Sequence, residues 1–123
     1  MSRVLIVEDE EQVRVLAEGV IRDMGHETLT AGNVDEAAAL LESDVPIDLL
    51  FADIHLLDDH HGGVGLAKYG RESRPELRVL YTTGRGVNDG TRALFVDPHH
   101  FVGKPYTIQH LIVAVTNALA HAA

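Results

Sequence analysis

Short apolar runs alternate five times with stretches in which apolar residues recur at helical spacing. The first run, residues 4–7, is continuously apolar, as expected of a strand that is buried on both faces. After it, Val13, Leu16, Val20 and Met24 recur three or four residues apart, which indicates an amphipathic helix. Repeated strand–helix alternation with buried strands predicts a parallel sheet that is covered by helices on both faces.

The same alternation continues to the end of the chain. Asn33 and Glu36 form a capping-box pattern at the start of the second helix, and Pro46 is expected to end that helix. The later helices are predicted at residues 63–73 and 107–120. The predicted strands are residues 4–7, 27–31, 48–52, 78–82 and 99–103.

Three glycines lie between the fourth and fifth predicted strands. Gly84, Gly86 and Gly90 would each cost about 1 kcal/mol relative to alanine inside a helix. The helix in this segment is therefore expected to be short or mobile. With 123 residues, the chain is the size of one domain, and we predict a single doubly wound α/β domain over residues 1–123.

Polar and charged residues follow four of the predicted strands. They are Glu8 and Asp9 after the first strand, Asp53 after the third, Thr82 and Thr83 at the fourth, and Lys104 after the fifth. Taken singly, an acid at a strand end has an ordinary interpretation, because it stabilises the dipole of the following helix. Ligands of doubly wound sheets bind beyond the carboxyl ends of the strands, however, so these groups are expected to converge on one site.

Three carboxylates at one edge of a sheet repel each other. Two unit charges 4 Å apart cost about 4 kcal/mol at an effective dielectric constant of 20. A hard divalent cation relieves this repulsion, and oxygen ligands with room for water suit Mg²⁺. Glu8 and Asp9 would hold the ion, while the ion and Lys104 would neutralise charge on a phosphoryl group that is attacked by Asp53.

The overall charge disfavours other classes of partner. The chain has 10 Lys and Arg against 19 Asp and Glu, a formal net charge of −9, so direct binding of nucleic acid is not expected. No apolar run approaches the roughly 20 residues that cross a bilayer, so no membrane partner is expected. The absence of cysteine fits a reducing compartment, and a cytoplasmic location is expected.

The chain resembles a response-regulator receiver domain of two-component signalling over essentially its full length. The matching segments are the acidic pair in LIVED, the acceptor in LLFADI, the hydroxyl residue in LYTTG, and FVGKP. The resemblance implies a flavodoxin-like (βα)5 fold with a five-stranded parallel sheet in the order 2-1-3-4-5. It also implies a phosphorylation-dependent signalling switch or a phosphoryl shuttle.

Four residues receive roles in the acceptor site from this resemblance. Asp53 would be the phosphoacceptor, taking its phosphoryl group from the phosphohistidine of a histidine kinase or from a small acyl phosphate. Asp9, Asp53 and the backbone carbonyl of His55 would ligate Mg²⁺, with Glu8 acting through water. The implied activity is self-phosphotransfer and autodephosphorylation rather than turnover of a substrate.

The resemblance also implies a switch. Thr83 would bond a phosphoryl oxygen, Lys104 would pair with the phosphoryl group, and its peptide bond to Pro105 is often cis in this family. Phe101 occupies the switch aromatic position, and its outward state should be less favourable than that of the frequent tyrosine. The expected partners are a histidine kinase or phosphotransfer protein, and a downstream protein at the face formed by the fourth helix, fifth strand and fifth helix. The chain would be a monomer or a weak homodimer without an output domain.

The loop after Asp53 departs from the family pattern. Leu57 stands where a proline is usual, and Gly62, nine residues after the acceptor, indicates a loop one residue longer than the commonest form. Asp58 and Asp59 add charge near the site. The pairs His60–His61 and His99–His100 suggest a transition-metal site, but adjacent residues of a strand face opposite sides, so the second pair alone is not a chelate.

Four other functions compete with a free-standing receiver. The chain could be a receiver cut from a hybrid histidine kinase, or a degenerate receiver that signals only by protein contact. A hydrolase that forms an aspartyl phosphate would place its nucleophile after the first strand, whereas Asp53 follows the third. A flavin-binding module needs backbone donors after the first strand, where EDEE would repel the flavin phosphate.

Overall fold

The structure is a computed structural model that describes residues 2–55, 62–84 and 89–120. Strands and helices alternate along the described chain, as predicted. Its elements are β1 (Arg3–Val7), α1 (Glu11–Asp23), β2 (Glu27–Ala31), α2 (Val34–Glu42), β3 (Leu49–Asp53), α3 (Gly62–Ser73), β4 (Arg78–Thr83), α4 (Asp89–Arg92), β5 (His100–Gly103) and α5 (Ile108–Ala120). The loop features predicted at Leu57, Asp58, Asp59, His60, His61 and Gly86 lie outside the described residues.

The five strands form one parallel sheet in the order β2-β1-β3-β4-β5. This confirms the predicted fold class and strand order. The chain leaves β1 toward β2 and then returns past β1 to β3, so the strand order reverses between β1 and β3. The carboxyl ends of these two strands are where a doubly wound sheet is expected to bind its ligand.

Two apolar clusters cover the two faces of the sheet. One cluster packs α2 and α3 on the sheet, and Leu5, Leu50 and Tyr81 are among its strand residues. The other packs α1 and α5 on the opposite face, where Ile6 and Phe51 are buried. Strand side chains alternate between the two faces, which explains why the central strands β1, β3 and β4 are apolar on both sides. The edge strands β2 and β5 are more exposed.

Helix α1 buries only part of the apolar stripe that the helical spacing indicated. Ala17, Val20 and Ile21 face the core, whereas Leu16 is 47% exposed. Leu16 instead borders a cavity at the end of the sheet, together with Val13. The helical period was predicted correctly, but the buried face is set by the packing of α1 against both the sheet and α5.

The start of α2 follows the capping pattern. Asn33 Oδ1 accepts a hydrogen bond from the Glu36 amide at 2.8 Å, and Glu36 Oε1 accepts one from the Gly32 amide at 2.9 Å. The helix ends at Glu42, before Pro46. Arg74 lies at this end and donates hydrogen bonds to backbone carbonyls that include those of residues 41 and 43.

The segment before β5 is tied to the centre of the sheet. The Tyr81 hydroxyl accepts a hydrogen bond from the Val96 amide at 3.1 Å, and the ring of Phe95 packs on Tyr81 with centroids 4.4 Å apart. Arg71 donates to the carbonyls of Asp97 and Pro98, each at 2.8 Å. Helix α4, which precedes this segment, has four residues, in agreement with the short helix expected there.

Candidate functional site

Strands β1 and β3 bring three carboxylates together at their carboxyl ends. Glu8, Asp9 and Asp53 each offer an oxygen, and these oxygens lie within 4.8 Å of one another. Glu8 is only 3% exposed and Asp53 only 4%, whereas Asp9 is half-buried. Among residues 2–55, 62–84 and 89–120, no other group of three acids or histidines is close enough to hold a metal ion.

Lys104 lies between two of these acids. Its Nζ atom is 2.5 Å from Glu8 Oε1 and 2.7 Å from Asp53 Oδ2, with Glu10 Oε1 farther away at 3.9 Å. The Lys104–Pro105 peptide bond is cis, as the family resemblance implied. The ammonium group therefore neutralises part of the charge that the strand ends bring together.

Burial and pairing act differently on the two members of this ion pair. Burial raises the pKa of Glu8, and the hydrogen bonds from Lys104 and the Glu10 amide offset that rise only in part. Burial alone would lower the pKa of Lys104, but the hydrogen bonds and charges of Asp53 and Glu8 outweigh it and raise the pKa above its ordinary value. Lys104 is therefore a permanent cation at neutral pH.

Backbone groups fix the two buried acids. Asp53 Oδ1 accepts a hydrogen bond from the His55 amide at 2.9 Å, and Glu8 Oε2 accepts one from the Glu10 amide at 3.1 Å. Arg14 of α1 donates to the Glu8 carbonyl at 2.8 Å. Carboxylates held in part by backbone amides are preorganised, because the backbone fixes one oxygen of each.

Gly63 allows α3 to approach the end of β3 closely. A Cβ atom at this position would lie 2.3 Å from the carbonyl oxygen of Asp53, which no side chain can occupy. Gly63 is ten residues after Asp53, and Gly62, which the sequence pattern singled out, is the first residue of α3. Both glycines are buried, and the backbone of Gly63 makes the close contact.

The two threonines of β4 lie on opposite faces of the sheet. Thr82 is the register partner of Asp53 and follows Leu80 on the face covered by α1 and α5. Thr83 follows Tyr81 on the other face. Both threonines are buried. The structure therefore places Thr82 beside Asp53 within the sheet and Thr83 at the strand end.

Phe101 pairs with Tyr81 across β4 and β5 and is 45% exposed. The absence of a hydroxyl predicts an outward state that is less favourable than that of a tyrosine, and in this structure nearly half of the residue is accessible. Leu94, Ile108 and Val113 are further exposed apolar residues in the part of the chain from α4 to α5. Phe101, Ile108 and Val113 lie on β5 and α5, which belong to the face that the resemblance assigns to a downstream partner.

Tyr106 was not singled out from the sequence. Its ring lies 6.1 Å from that of Phe51, centroid to centroid. Burial raises the pKa of Tyr106 to about 12. The charges of Glu8 and Asp53 add to this rise, and the charge of Lys104 opposes it. Its position two residues after Lys104, at the carboxyl end of β5, was the available signal that it borders the site.

Comparison with known families identifies the protein family to which this chain belongs. A model of the response regulator receiver domain matches residues 4–116. The chain belongs to this family. It is thus a receiver domain of a two-component response regulator, which is a signalling module. Receiver domains as a family bind Mg²⁺ at an acidic pocket and interact with histidine kinases or phosphotransfer proteins.

Curated relatives of this receiver are longer proteins. The nitrogen assimilation regulatory protein NtrX of Azorhizobium caulinodans is 30% identical over 117 residues, which is 94% of this chain and 26% of the relative. The response regulator protein PilR of Pseudomonas aeruginosa is 34% identical over 119 residues, 96% of this chain and 26% of the relative. The chain spans about a quarter of the length of these relatives.

Solved structures share the fold. A response regulator receiver protein from Sinorhizobium medicae superposes with a TM-score of 0.87 at 24% identity, covering 97% of this receiver and 94% of that chain. The receiver domain of the hybrid histidine kinase CckA gives a TM-score of 0.79 at 30% identity, covering 95% of this receiver and 98% of that chain.

No helix among the described residues has the length and apolar character that crossing a membrane requires.

Proposed function

We propose that this receiver is a Mg²⁺-dependent phosphorylation switch or phosphoryl shuttle in which Asp53 accepts the phosphoryl group. The observation that carries this proposal is the geometry at Asp53. Its carboxylate is buried, contacts the ammonium group of Lys104 at 2.7 Å, and lies within 4.8 Å of oxygens of Glu8 and Asp9. A nucleophile, a fixed cation and a cluster of hard oxygen ligands are the parts that phosphoryl transfer needs.

Asp53 is the best placed of the three acids for attack on phosphorus. It lies at the end of β3 between β1 and β4, and a backbone amide and an ammonium group each hold one of its oxygens. An Asp53 oxygen would bond to the phosphorus of a phosphohistidine, and the bonding pair of the broken P–N bond would stay on the imidazole. Lys104 would then balance charge on the phosphoryl oxygens.

The acidic cluster fits a magnesium ion. Glu8, Asp9 and Asp53 supply carboxylate oxygens, which are the ligands that Mg²⁺ prefers, and Asp9 remains accessible to water. We assign Asp9, Asp53 and the His55 backbone carbonyl to direct contact and Glu8 to contact through water. The bound ion would neutralise negative charge on the phosphoryl group and on the attacking carboxylate.

The switch proposal extends from the site to β5. Thr83 at the end of β4 would bond a phosphoryl oxygen, and its displacement would open space for Phe101, which is now half-exposed. The face formed by α4, β5 and α5 would then present a changed surface to a downstream protein. We propose that the receiver does this in the cytoplasm as a monomer or weak homodimer and without direct contact to nucleic acid.

A second context is supported by one comparison. The receiver of the hybrid histidine kinase CckA is 30% identical and is covered over 98% of its length. The same chemistry at Asp53 would serve a receiver that belongs to a hybrid kinase, where the phosphoryl group passes on to a phosphotransfer protein. The donor and the recipient differ between the two contexts, but the acceptor residue does not.

The mass of the intact protein tests the proposed acceptor. Incubation with acetyl phosphate and Mg²⁺ should add one phosphoryl group to the wild type and none to Asp53→Asn. Asp23→Asn, which changes an exposed acid at the end of α1, is the matched control and should be labelled like the wild type. An unlabelled wild type, or a label that persists in Asp53→Asn, would contradict the proposal.

A further inference from the structure

The hydroxyl of Thr82 is a buried polar group without a hydrogen-bond partner. Thr82 is only 2% exposed, and in the part of the chain that the structure describes its Oγ1 atom forms no hydrogen bond. A buried hydroxyl in this condition is unfavourable compared with a methyl group of similar shape. Such groups are rare in folded proteins, and each calls for an explanation, a catalytic role among them.

The sheet register places this hydroxyl beside the acceptor. Thr82 pairs with Asp53 on one side and with Val102 on the other. The β1–β3 register pairs Val7 with Ala52, so Glu8 and Asp53 are the next residues of the two neighbouring segments. Glu8, Asp53 and Thr82 therefore form one row on the face of the sheet that α1 and α5 cover.

This row brings Thr82 within reach of the Asp53 carboxylate. Neighbouring strands are about 4.8 Å apart, and a rotation about the Cα–Cβ bond moves a threonine hydroxyl toward a carboxylate on the same face. In the present structure the two Asp53 oxygens already have donors, the His55 amide and Lys104. The Thr82 hydroxyl is a neighbouring donor that forms no hydrogen bond in this arrangement.

We propose that Thr82 donates a hydrogen bond to Asp53 as the phosphoryl group leaves, and so shortens the lifetime of the aspartyl phosphate. This inference rests on the proposed function, in which Lys104 pairs with the phosphoryl group and no longer with the Asp53 oxygens. In hydrolysis, a water oxygen bonds to phosphorus while the bond from phosphorus to the Asp53 oxygen breaks. The bonding pair stays on Asp53 as a carboxylate, and the hydrogens of the water leave with inorganic phosphate or as a proton.

The Thr82 hydrogen bond should speed the loss of the phosphoryl group, because the charge on Asp53 changes during the reaction. In the aspartyl phosphate, the Asp53 oxygen that bridges carbon and phosphorus is nearly neutral. After the phosphoryl group has left, the Asp53 carboxylate carries a full negative charge. A hydroxyl donor bonds more strongly to the charged form. It therefore stabilises the transition state of phosphoryl loss more than it stabilises the aspartyl phosphate.

The lifetime of the label in Thr82 variants tests this role. Wild type, Thr82→Val and Thr82→Ser are labelled with acetyl phosphate and Mg²⁺, freed of the donor, and followed by intact mass. Thr82→Val should hold its phosphoryl group about five times longer than the wild type, the size of effect that one hydrogen bond gives. Thr82→Ser keeps the hydroxyl and should decay within about two-fold of the wild type. The melting temperature of Thr82→Val should be no lower than that of the wild type, because only an unpartnered hydroxyl is lost.

The outcomes separate this inference from the proposed function. Equal lifetimes of wild type and Thr82→Val would overturn the inference alone and leave Thr82 a structural residue. A wild type that takes up no phosphoryl group would overturn both. If Thr82→Val does not fold, Thr82→Ala replaces it with the same expectation, since alanine cannot crowd the site. Thr83→Val, on the opposite face, should instead slow the uptake of the label.

Discussion

The Nζ atom of Lys104 lies 2.7 Å from Oδ2 of Asp53, although the two residues are 51 positions apart in the chain. The same nitrogen is 2.5 Å from Glu8 Oε1. One cation thus holds two buried acids that come from different strands. Removing one member of a buried ion pair is costly, because the partner remains buried with an uncompensated charge.

Replacement of Lys104 by methionine should lower the free energy of unfolding by about 3 kcal/mol at pH 7. Millimolar Mg²⁺ should recover part of this loss, because the ion would take over the neutralisation of Glu8 and Asp53. Urea unfolding with and without Mg²⁺ measures both effects. Lys68→Met, on the exposed side of α3, is the control and should change the stability little in either condition.

The loss in Lys104→Met should also depend on pH. Burial raises the pKa of Glu8, so the folded state holds a proton there more readily than the unfolded state. The destabilisation should shrink as the pH falls toward that raised pKa, since protonated Glu8 needs no counter-charge. A deficit that stays constant from neutral pH to the acidic range would contradict this account.

Gly63→Ala should prevent α3 from packing closely on the end of β3. The added Cβ would meet the Asp53 carbonyl oxygen at 2.3 Å, and backbone atoms on both sides cannot move aside easily. We expect a loss of about 3 kcal/mol in unfolding free energy and a lower rate of labelling by acetyl phosphate. Urea unfolding measures the change in stability, and intact mass followed over time measures the rate of labelling.

The matched control lies two residues away. Gly65→Ala adds the same methyl group to the same helix, where no atom beyond the adjacent residues and the local helix backbone lies within 4 Å of the new Cβ. It should raise the stability by about 0.5 kcal/mol, since alanine favours the helix over glycine. Equal effects of the two substitutions would show that α3 does not approach Asp53 as closely as the structure has it.

Tyr106 should make the stability of the domain sensitive to alkaline pH. The ordinary pKa of tyrosine is about 10, and that of Tyr106 is raised to about 12, so the folded state holds the phenolic proton more tightly than the unfolded chain. This contribution is complete below pH about 10 and is lost as the pH rises through about 12. The stability of the wild type should therefore fall more than that of Tyr106→Phe across this range, by about 1 kcal/mol after allowance for solvent screening. Urea midpoints that run parallel for the two proteins would refute this assignment.

The sheet and the acidic cluster could be predicted because each depends on local sequence. Buried strands are read from short apolar runs, and the position of Asp53 follows from its place after the third run. The rule that parallel strands end at a common edge then brings Glu8, Asp9 and Lys104 to the same place. No contact between distant residues had to be known in advance.

The features that were missed depend on packing between distant elements. The exposure of Leu16 is set by how α1 lies against α5, and Arg74 is found at the end of α2 only because α3 brings it there. The spacing of the family motif directed attention to Thr83. The register of β4 with β3, which fixes Thr82 beside Asp53, is not encoded in any local pattern.

The opposite orientation of Thr82 and Thr83 has a consequence for how this domain can evolve. Under the proposed mechanism, Thr82 governs how long the signal persists, and Thr83 governs how the signal reaches Phe101. A single peptide bond joins the residue that sets duration to the residue that sets transmission. Insertion or deletion of one residue in β4 would exchange their sides, so timing and output in this receiver are tied to one strand register.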